Sequence, residues 1–341
     1  MTAPSAGSDL AVRARGLTRT FAEGVGVHEL DLDVDRGTIF GFIGPSGSGK
    51  TTTIRMMTGI LPLESGELTV LGKAPSDFDQ EDRNRLGYMP QLSVLYPHLS
   101  IWENLGFSAS LFGVPWRGRR ARMIEQLELV ELNDAKTRLL RDSSGGMQRR
   151  LALAATLIHN PDLLFLDEPT AGLDPILRKK VWDHFAVLRD QGRTLFVTTQ
   201  YVGEAAYCDR VGVLAEGRLI AVDTPEGLRR QAFGGEVLDV TFSQPLLASQ
   251  LDQLAEAAQA VRTERIGPSQ VRLVVADAGE VSPQVTAWAV ETGLEVESVE
   301  PFLPAFDDVF VELVSNLMER NGSGSAMAGR SQPTTDMEIT R

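Results

Sequence analysis

The order of apolar and polar positions predicts short strands that alternate with helices along most of the chain. Largely apolar runs at residues 38–43, 162–166 and 195–199 are typical of strands buried in a parallel sheet. Residues 28–34 instead alternate apolar and polar side chains, as a strand with one buried face does. The apolar positions of residues 123–130 follow helical spacing. This mixture of strands and helices predicts an α/β fold.

Two further regions differ from this pattern. Residues 100–160 are helical in composition, and Ser100 with Glu103 forms a capping-box pattern where they begin. Residues 236–314 have the order strand, helix, two strands, helix and strand, followed by a last helix, which predicts a small ferredoxin-like α+β domain. We interpret this domain as a packing or dimerisation module, with a ligand sensor as the alternative.

A glycine-rich loop follows the strand at residues 38–43 and matches the phosphate-binding pattern G-x-x-x-x-G-K-[ST]. The loop consists of Gly44, Pro45, Ser46, Gly47, Ser48, Gly49, Lys50, Thr51 and Thr52. Glycines let the backbone N–H groups turn inward, and the next helix adds its unpaired N-terminal donors, so the loop can hold phosphate. Lys50 would contact the β- and γ-phosphates, and the Thr51 hydroxyl would ligate Mg²⁺.

Two carboxylates, Asp167 and Glu168, follow the apolar strand at residues 162–166. The carboxyl end of a strand is where ligands bind in doubly wound sheets. We expect Asp167 to hold Mg²⁺ and Glu168 to orient or deprotonate the attacking water.

Other features each have a functional and a structural interpretation. Phe21 either stacks on a base or belongs to the core. Ser144, Gly145 and Gly146 open a helix, either as an anion site or as an ordinary N-cap. The arginine cluster at residues 117–122 either contacts anionic lipid or is a solvated helix face, and we favour the solvated face.

Composition narrows the classes of protein. The net charge of the chain is −13, and residues 236–320 hold fifteen Asp and Glu but only four Lys and Arg, which argues against nucleic acid as a partner. No run approaches the roughly eighteen apolar residues of a membrane span, and residues 1–9 do not have the pattern of a secretion signal. A single cysteine, Cys208, fits a reducing compartment.

Over residues 10–228 the order of these motifs resembles the nucleotide-binding domain of ATP-binding-cassette (ABC) transporters. The resemblance implies that Phe21 stacks on adenine. It implies that Gln91, which follows a short strand, contacts Mg²⁺ and water and moves with a membrane partner. Ser144, Gly145 and Gly146 resemble the signature that contacts the γ-phosphate held by the opposite subunit. Asp174 is similar to the aspartate at the dimer seam.

The chain departs from the common pattern at two positions. Ser143 occupies the usual leucine of L-S-G-G, which should weaken packing. Gln200 occupies the place of the switch histidine, and an amide can hydrogen-bond a phosphate oxygen but cannot become a cation near neutral pH. Gln200 and the Gly-Gly-Met-Gln-Arg-Arg form of the signature resemble exporter ATPases of the daunorubicin/doxorubicin-resistance type. The candidate catalytic residues are therefore Glu168, Gln200 and Gln91.

The resemblance implies a P-loop NTPase fold of the ABC ATPase type at residues 10–230, with a helical subdomain at about 92–160. The accessory domain spans residues 236–314, and we expect a flexible N-terminus at residues 1–9 and a disordered tail at 321–341. The implied protein is the ATP- and Mg²⁺-dependent subunit of an exporter of drugs, lipids or other hydrophobic compounds.

Its implied partners are a separate membrane permease and a second copy of itself or a homologous subunit. Its implied location is the cytoplasmic face of the cell membrane. The alternatives are a non-transport ABC ATPase and a regulatory ATP-binding module.

Overall fold

A computed structural model of the protein describes residues 10–21, 24–92 and 94–327, with side chains as far as residue 316. The chain divides into two compact units, which meet in sequence between Leu228 and Arg229. The predicted flexible N-terminus, residues 1–9, lies outside the described residues. Over the described part of the chain, no helix is both long and apolar enough to cross a bilayer.

The first unit contains an antiparallel sheet and a mostly parallel sheet. The antiparallel sheet has the order β2-β1-β4 and consists of β1 (Leu10–Thr20), β2 (Gly26–Asp35) and β4 (Ser65–Val70). The second sheet consists of β3 (Ile39–Ile43), β5 (Leu86–Met89), β6 (Leu163–Asp167), β7 (Thr194–Thr199), β8 (Arg210–Ala215) and β9 (Arg218–Asp223). Its order is β5-β6-β7-β3-β8-β9, with β9 antiparallel to β8 and the other neighbours parallel.

The arrangement of the second sheet sets the position of the candidate site. Strands β3, β6 and β7 are buried along their whole length, as expected for parallel strands covered on both faces. Since β7 pairs in parallel with both β3 and β6, the carboxyl ends of these strands lie side by side at one edge of the sheet. The glycine-rich loop leaves the sheet at this edge.

Seven α-helices begin in the part of the first unit that the structure describes. They are α1 (Lys50–Met57), α2 (Gln80–Asn84), α3 (Ile101–Leu111), α4 (Trp116–Leu129), α5 (Gly145–Leu157), α6 (Pro175–Asp190) and α7 (Pro225–Phe233), the last of which ends in the second unit. The hydrophobic core contains Val12 from β1, Phe40 from β3 and Ile54 from α1. Helix α1 is therefore held by apolar contacts with both sheets.

Helices α3 to α5 occupy the region whose composition predicted helices. Glu103 N donates to Ser100 Oγ at 3.2 Å, and Ser100 N donates to the Glu103 carboxylate at 2.8 Å. This reciprocal pair confirms the capping box and satisfies two backbone donors at the start of α3.

The arginine cluster at residues 117–122 has partners within the protein. Arg119 Nε donates to Val114 O at 3.0 Å, and Arg122 donates to Ile158 O at 3.4 Å. The Arg117 guanidinium lies 5.2 Å from the centre of the Trp116 ring. These contacts favour the structural interpretation over lipid binding.

The second unit contains an antiparallel sheet of order β11-β12-β10-β13. Its strands are β10 (Glu236–Phe242), β11 (Arg262–Arg265), β12 (Gln270–Val275) and β13 (Val296–Phe302), and its helices are α8 (Ala248–Ala257), α9 (Ala278–Glu291) and α10 (Phe306–Met327). The predicted order of strands and helices is observed. The core contains Phe242 of the sheet, Leu254 of α8 and Val285 of α9.

The last helix extends into the segment that was expected to be disordered. Helix α10 continues to Met327, so the expectation of disorder is wrong for residues 321–327. Nucleation is the unfavourable step of helix formation, and adding a residue to an existing helix costs much less free energy. A helix that has started against a packed core can therefore continue through residues of weak helix propensity. Residues 328–341 lie outside the described part of the chain.

We expect Phe242→Ala to destabilise the second unit. The Phe242 ring is fully buried and meets Trp288 edge to face, with ring centroids 6.2 Å apart. Its removal should lower the free energy of unfolding by about 3–5 kcal/mol, measured by urea denaturation of the whole chain with fluorescence detection. The control Leu247→Ala removes an exposed side chain and should change it by less than about 0.5 kcal/mol. Equal behaviour of the two variants would contradict this assignment of the core.

Candidate functional site

The glycine-rich loop has the backbone shape that its sequence predicts. Gly47 and Gly49 have φ angles of +81° and +107°, which side chains with a Cβ rarely adopt. At Gly44 a Cβ would lie 2.2 Å from Leu214 O, so β8 leaves room only for glycine there. The Ser48 hydroxyl is buried, with no hydrogen-bond partner among the described residues. Gly49 is the N-cap of α1, and the unpaired N–H groups of that helix therefore face the loop.

Lys50 reaches back over the loop. Its Nζ donates to Gly44 O at 2.7 Å and to Pro45 O at 3.0 Å. Burial lowers the pKa of Lys50, while the nearby charges of Glu168 and Asp167 act in the opposite direction. The ammonium group is thus held at the loop, close to two carboxylates.

Asp167, at the end of β6, is the most deeply buried acid of the site, with 1% of its surface exposed. Thr51 Oγ1 donates to Asp167 Oδ2 at 2.7 Å, and Thr198 Oγ1 donates to Oδ1 at 2.6 Å. A buried carboxylate needs such donors, because it has lost its hydration. The pair of Thr51 and Asp167 presents oxygen atoms from a hydroxyl and a carboxylate.

These oxygens fit Mg²⁺. This ion takes oxygen ligands, and in nucleotide sites it uses one or two carboxylates together with phosphate and water. Over the part of the chain that the structure describes, no group of three or more His, Cys, Asp and Glu could form an all-protein metal site. The hydroxyl of Thr51 and the carboxylate of Asp167 are the kind of protein ligands that Mg²⁺ uses when phosphate and water supply the rest.

Glu168 follows Asp167 in an unusual backbone conformation. Its φ angle is +53°, in the left-handed region, which costs of the order of 1 kcal/mol or more for a residue with a Cβ. Its N–H donates to Thr198 O at 3.0 Å and to Thr198 Oγ1 at 3.1 Å. Glu168 also lines a cavity next to the loop.

The cavity has a volume of about 320 Å³ and lies between the loop, the start of α1 and the segment after β5. The predicted site residues that line it are Phe21, Ser46, Gly47, Gly49, Lys50, Thr51, Thr52, Gln91 and Glu168. Phe21 is 48% exposed, so the alternative that it is a core residue is wrong. The cavity combines phosphate-binding groups, an aromatic face and a carboxylate.

Other predicted residues lie elsewhere. Ser144, Gly145 and Gly146 are exposed at the start of α5 and do not line the cavity. Ser144 is the N-cap of that helix, and its Oγ accepts from Met147 N at 3.3 Å. One chain therefore does not bring the two predicted anion sites together.

Asp174 and Gln200 have contacts of their own. The Asp174 carboxylate caps α6 by accepting from Ile176 N and Leu177 N at 3.0 Å, and the bond from Leu177 lowers the pKa of Asp174 most. Gln200 lies beyond the end of β7, where its Oε1 accepts from Ser46 Oγ at 3.4 Å. Gln200 is thus adjacent to the loop, although it does not line the cavity.

Ser143 is buried, and its hydroxyl donates to Leu139 O at 3.1 Å. The polar group that replaces leucine at this position is therefore satisfied.

The sequence patterns missed three residues of this region. Thr198 holds the Asp167 carboxylate and the Glu168 N–H, as described above. Arg149 of α5 donates to the main chain of β6, and Glu204 accepts from Thr170 Oγ1 at 2.7 Å and Thr199 Oγ1 at 2.6 Å. The only available signal for Thr198 was the polar end of its apolar strand.

Comparison with known proteins gives consistent matches. Residues 27–171 match the family model described as ABC transporter. The chain is 35% identical over 322 residues to the daunorubicin resistance ATP-binding protein DrrA2 of Streptomyces coeruleorubidus, an alignment that covers 93% of this chain and 98% of that protein. It is 38% identical over 236 residues to the probable multidrug ABC transporter ATP-binding protein YbhF of Escherichia coli (strain K12), an alignment that covers 69% of this chain but only 41% of YbhF.

Solved structures resemble the first unit. One is the ATP-binding subunit of an ABC transporter, with a TM-score of 0.61 and 26% identity over 66% of this chain and 93% of that chain. Another is a dimeric ATP-binding cassette in a post-hydrolysis state with ADP and Pi, with a TM-score of 0.58 and 26% identity over 62% of this chain and 98% of that chain.

We expect Thr198→Val to destabilise the edge of the sheet. The variant removes one of the two donors to the buried Asp167 carboxylate, which should cost about 1–3 kcal/mol in the free energy of unfolding. Urea denaturation measures the difference. Thr69→Val changes an exposed hydroxyl on β4 and should have little effect. If both variants unfold like the parent, Thr198 does not stabilise Asp167.

Proposed function

Because the chain belongs to the family of ABC transporter ATP-binding proteins, we propose that it binds and hydrolyses ATP to drive a separate membrane permease. The observation that carries this proposal is the convergence of Lys50, Thr51 and Glu168 on one cavity, with Asp167 behind Thr51. The exposed Phe21 ring lies on the same cavity and offers a face for adenine.

Each group in the cavity has a defined role in this reaction. The backbone donors of the loop and the Lys50 ammonium bind the phosphates. Thr51 and Asp167 would hold Mg²⁺, with Gln91 facing the same space, and the ion would neutralise phosphate charge. The Glu168 carboxylate orients the attacking water and accepts its proton. Gln200, anchored at Ser46, is placed to hydrogen-bond the γ-phosphate.

The site is completed by a second copy of the chain or by a homologous subunit. Ser144 and Gly146 are exposed at the start of α5, which is a suitable donor surface for an anion, but they lie outside their own chain's cavity. A partner's signature would supply these donors to the γ-phosphate. ATP would then hold two chains together, and hydrolysis would release them. The dimeric cassette among the similar structures supports this arrangement.

An exposed apolar surface next to Gln91 supports a membrane partner. Leu92 and Val94 are 82% and 81% exposed, and Phe107 and Leu111 of α3 are exposed as well. Val94 lines a cavity together with Ser108 of α3, so the two segments lie side by side. Large apolar side chains that are exposed close together are typical of protein interaction sites. We propose that the permease docks here and that the subunit works at the cytoplasmic face of the membrane. We propose that the transported compounds are exported drugs, lipids or other hydrophobic compounds, and the words daunorubicin resistance and multidrug in the names of DrrA2 and YbhF support drugs among them.

We expect Glu168→Gln to bind ATP but not to hydrolyse it. The amide keeps the shape of the side chain but cannot accept the proton of water, so the ATP-bound dimer should accumulate. Phosphate release and size-exclusion chromatography with ATP measure the two effects. Glu216→Gln is a matched control, since Glu216 is exposed and also has a positive φ, and it should behave like the parent. If Glu168→Gln hydrolyses ATP at near the parent rate, Glu168 is not the group that accepts the proton of water.

We expect Gln200→His to preserve or raise turnover. Imidazole can donate a hydrogen bond to phosphate as the amide does, and it can also carry charge near neutral pH. Steady-state hydrolysis at several pH values is the measurement. A complete loss of turnover would show that the amide has a role that imidazole cannot fill.

A further inference from the structure

Arg149 joins two separate segments of the candidate site. Its guanidinium donates to Asp167 O at 2.8 Å, to Glu168 O at 3.0 Å and to Gln91 O at 2.6 Å. The first two acceptors belong to the end of β6, and the third belongs to the segment after β5. Arg149 itself lies on α5, so one side chain connects three elements.

Only an arginine side chain has the geometry to make these three hydrogen bonds at once. A guanidinium carries five N–H donors in a planar fork, whereas a lysine ammonium is a compact point charge on a flexible stem. The neighbouring Arg150 makes a different contact, donating to Val130 O and Glu131 O beyond the end of α4. Burial lowers the pKa of Arg149, with the charges of Glu168 and Asp167 acting against it. The protein therefore holds a partly desolvated cation at this point.

The contacts of Arg149 complete the backbone restraint of Glu168. The Glu168 N–H is bonded to Thr198, and its C=O accepts from Arg149 and, at 3.2 Å, from Ala171 N. Both backbone polar groups of a residue in the left-handed region are thus fixed by other elements. Such a conformation persists only where its surroundings hold it. A shift of Arg149 would change the direction of the Glu168 carboxylate.

Helix α5 begins with the signature residues. Gly146 precedes Arg149 by less than one helical turn, about 4.5 Å along the helix axis. A movement of the N-terminus of α5 is therefore transmitted to Arg149, because a helix is rigid over this distance.

We propose that Arg149 is a positioning residue that couples the signature of each chain to the Glu168 and Gln91 of the same chain. In the dimer of the proposed function, on which this inference rests, Ser144 and Gly146 contact the nucleotide held by the partner. Binding there moves α5, and Arg149 adjusts Glu168 at the chain's own nucleotide. The two ATP sites are thereby linked through one side chain in each subunit.

The test compares Arg149→Gln and Arg149→Lys with the parent in steady-state ATP hydrolysis by the full chain. The parent should show cooperative dependence on ATP. Both variants should lose on the order of 10- to 100-fold in kcat, because the carboxylate is displaced, while KM changes by less than about twofold. Their Hill coefficients should fall to about 1, because the link between the sites is cut. A purely structural role would reduce the folded fraction without changing the Hill coefficient.

Arg119→Gln is the matched control. It also removes an arginine that bonds a main-chain carbonyl in the helical region, but its contacts, Val114 and Ser110, lie outside the site. This variant should keep the kcat and Hill coefficient of the parent. Suppose that the parent hydrolyses ATP. The proposed coupling is then overturned if the Arg149 variants match Arg119→Gln or if the parent shows no cooperativity, whereas the proposed ATPase function stands. If the parent does not hydrolyse ATP, the proposed function itself fails.

Discussion

The buried carboxylate of Asp167 is the interaction on which the site depends. With 1% of its surface exposed, it relies on hydroxyl donors from Thr51 at 2.7 Å and Thr198 at 2.6 Å. These bonds fix the start of α1 and the end of β7 to the end of β6. Lys50 and Glu168 are the sequence neighbours of these residues, so their positions follow from the same contacts. A carboxylate at this depth with neither donor would cost several kcal/mol, which is why both hydroxyl groups matter to the site.

Around this carboxylate the site balances opposite charges that are partly removed from water. Burial lowers the pKa of both Lys50 and Arg149, and the charges of Asp167 and Glu168 act against it. The two cations have different tasks. Lys50 lies over the phosphate loop, whereas Arg149 bonds only to backbone in the site and shapes the segment that carries Glu168. In the proposed mechanism, phosphate binding and the positioning of the proton acceptor are therefore assigned to two different side chains.

The sequence predicted those parts of the fold and site that local spacing determines. The phosphate loop, the acids after β6 and the order of strands and helices in the second unit depend on short patterns. The roles of Thr198 and Arg149 depend on contacts between residues far apart in the chain, and no short pattern reports them. Spacing predicted the buried strands but left Phe21 open between the core and a stacking role, and the structure shows it 48% exposed. Local propensity does not predict the helix beyond residue 321, because those residues continue a helix whose start is packed.

In the proposed mechanism each ATP site is shared between two chains, and mixing two inactive variants is the most direct test of this sharing. Lys50→Ala removes the phosphate contact and Ser144→Arg blocks the signature, so neither homodimer should hydrolyse ATP. A mixed dimer contains one intact site, formed by the Lys50 of one chain and the Ser144 of the other. Mixing equal amounts should restore up to roughly a quarter of the parent activity, since half of the random dimers are mixed. If Ser144→Arg alone hydrolyses ATP like the parent, or if mixing restores no activity, the ATP sites are not shared between two chains.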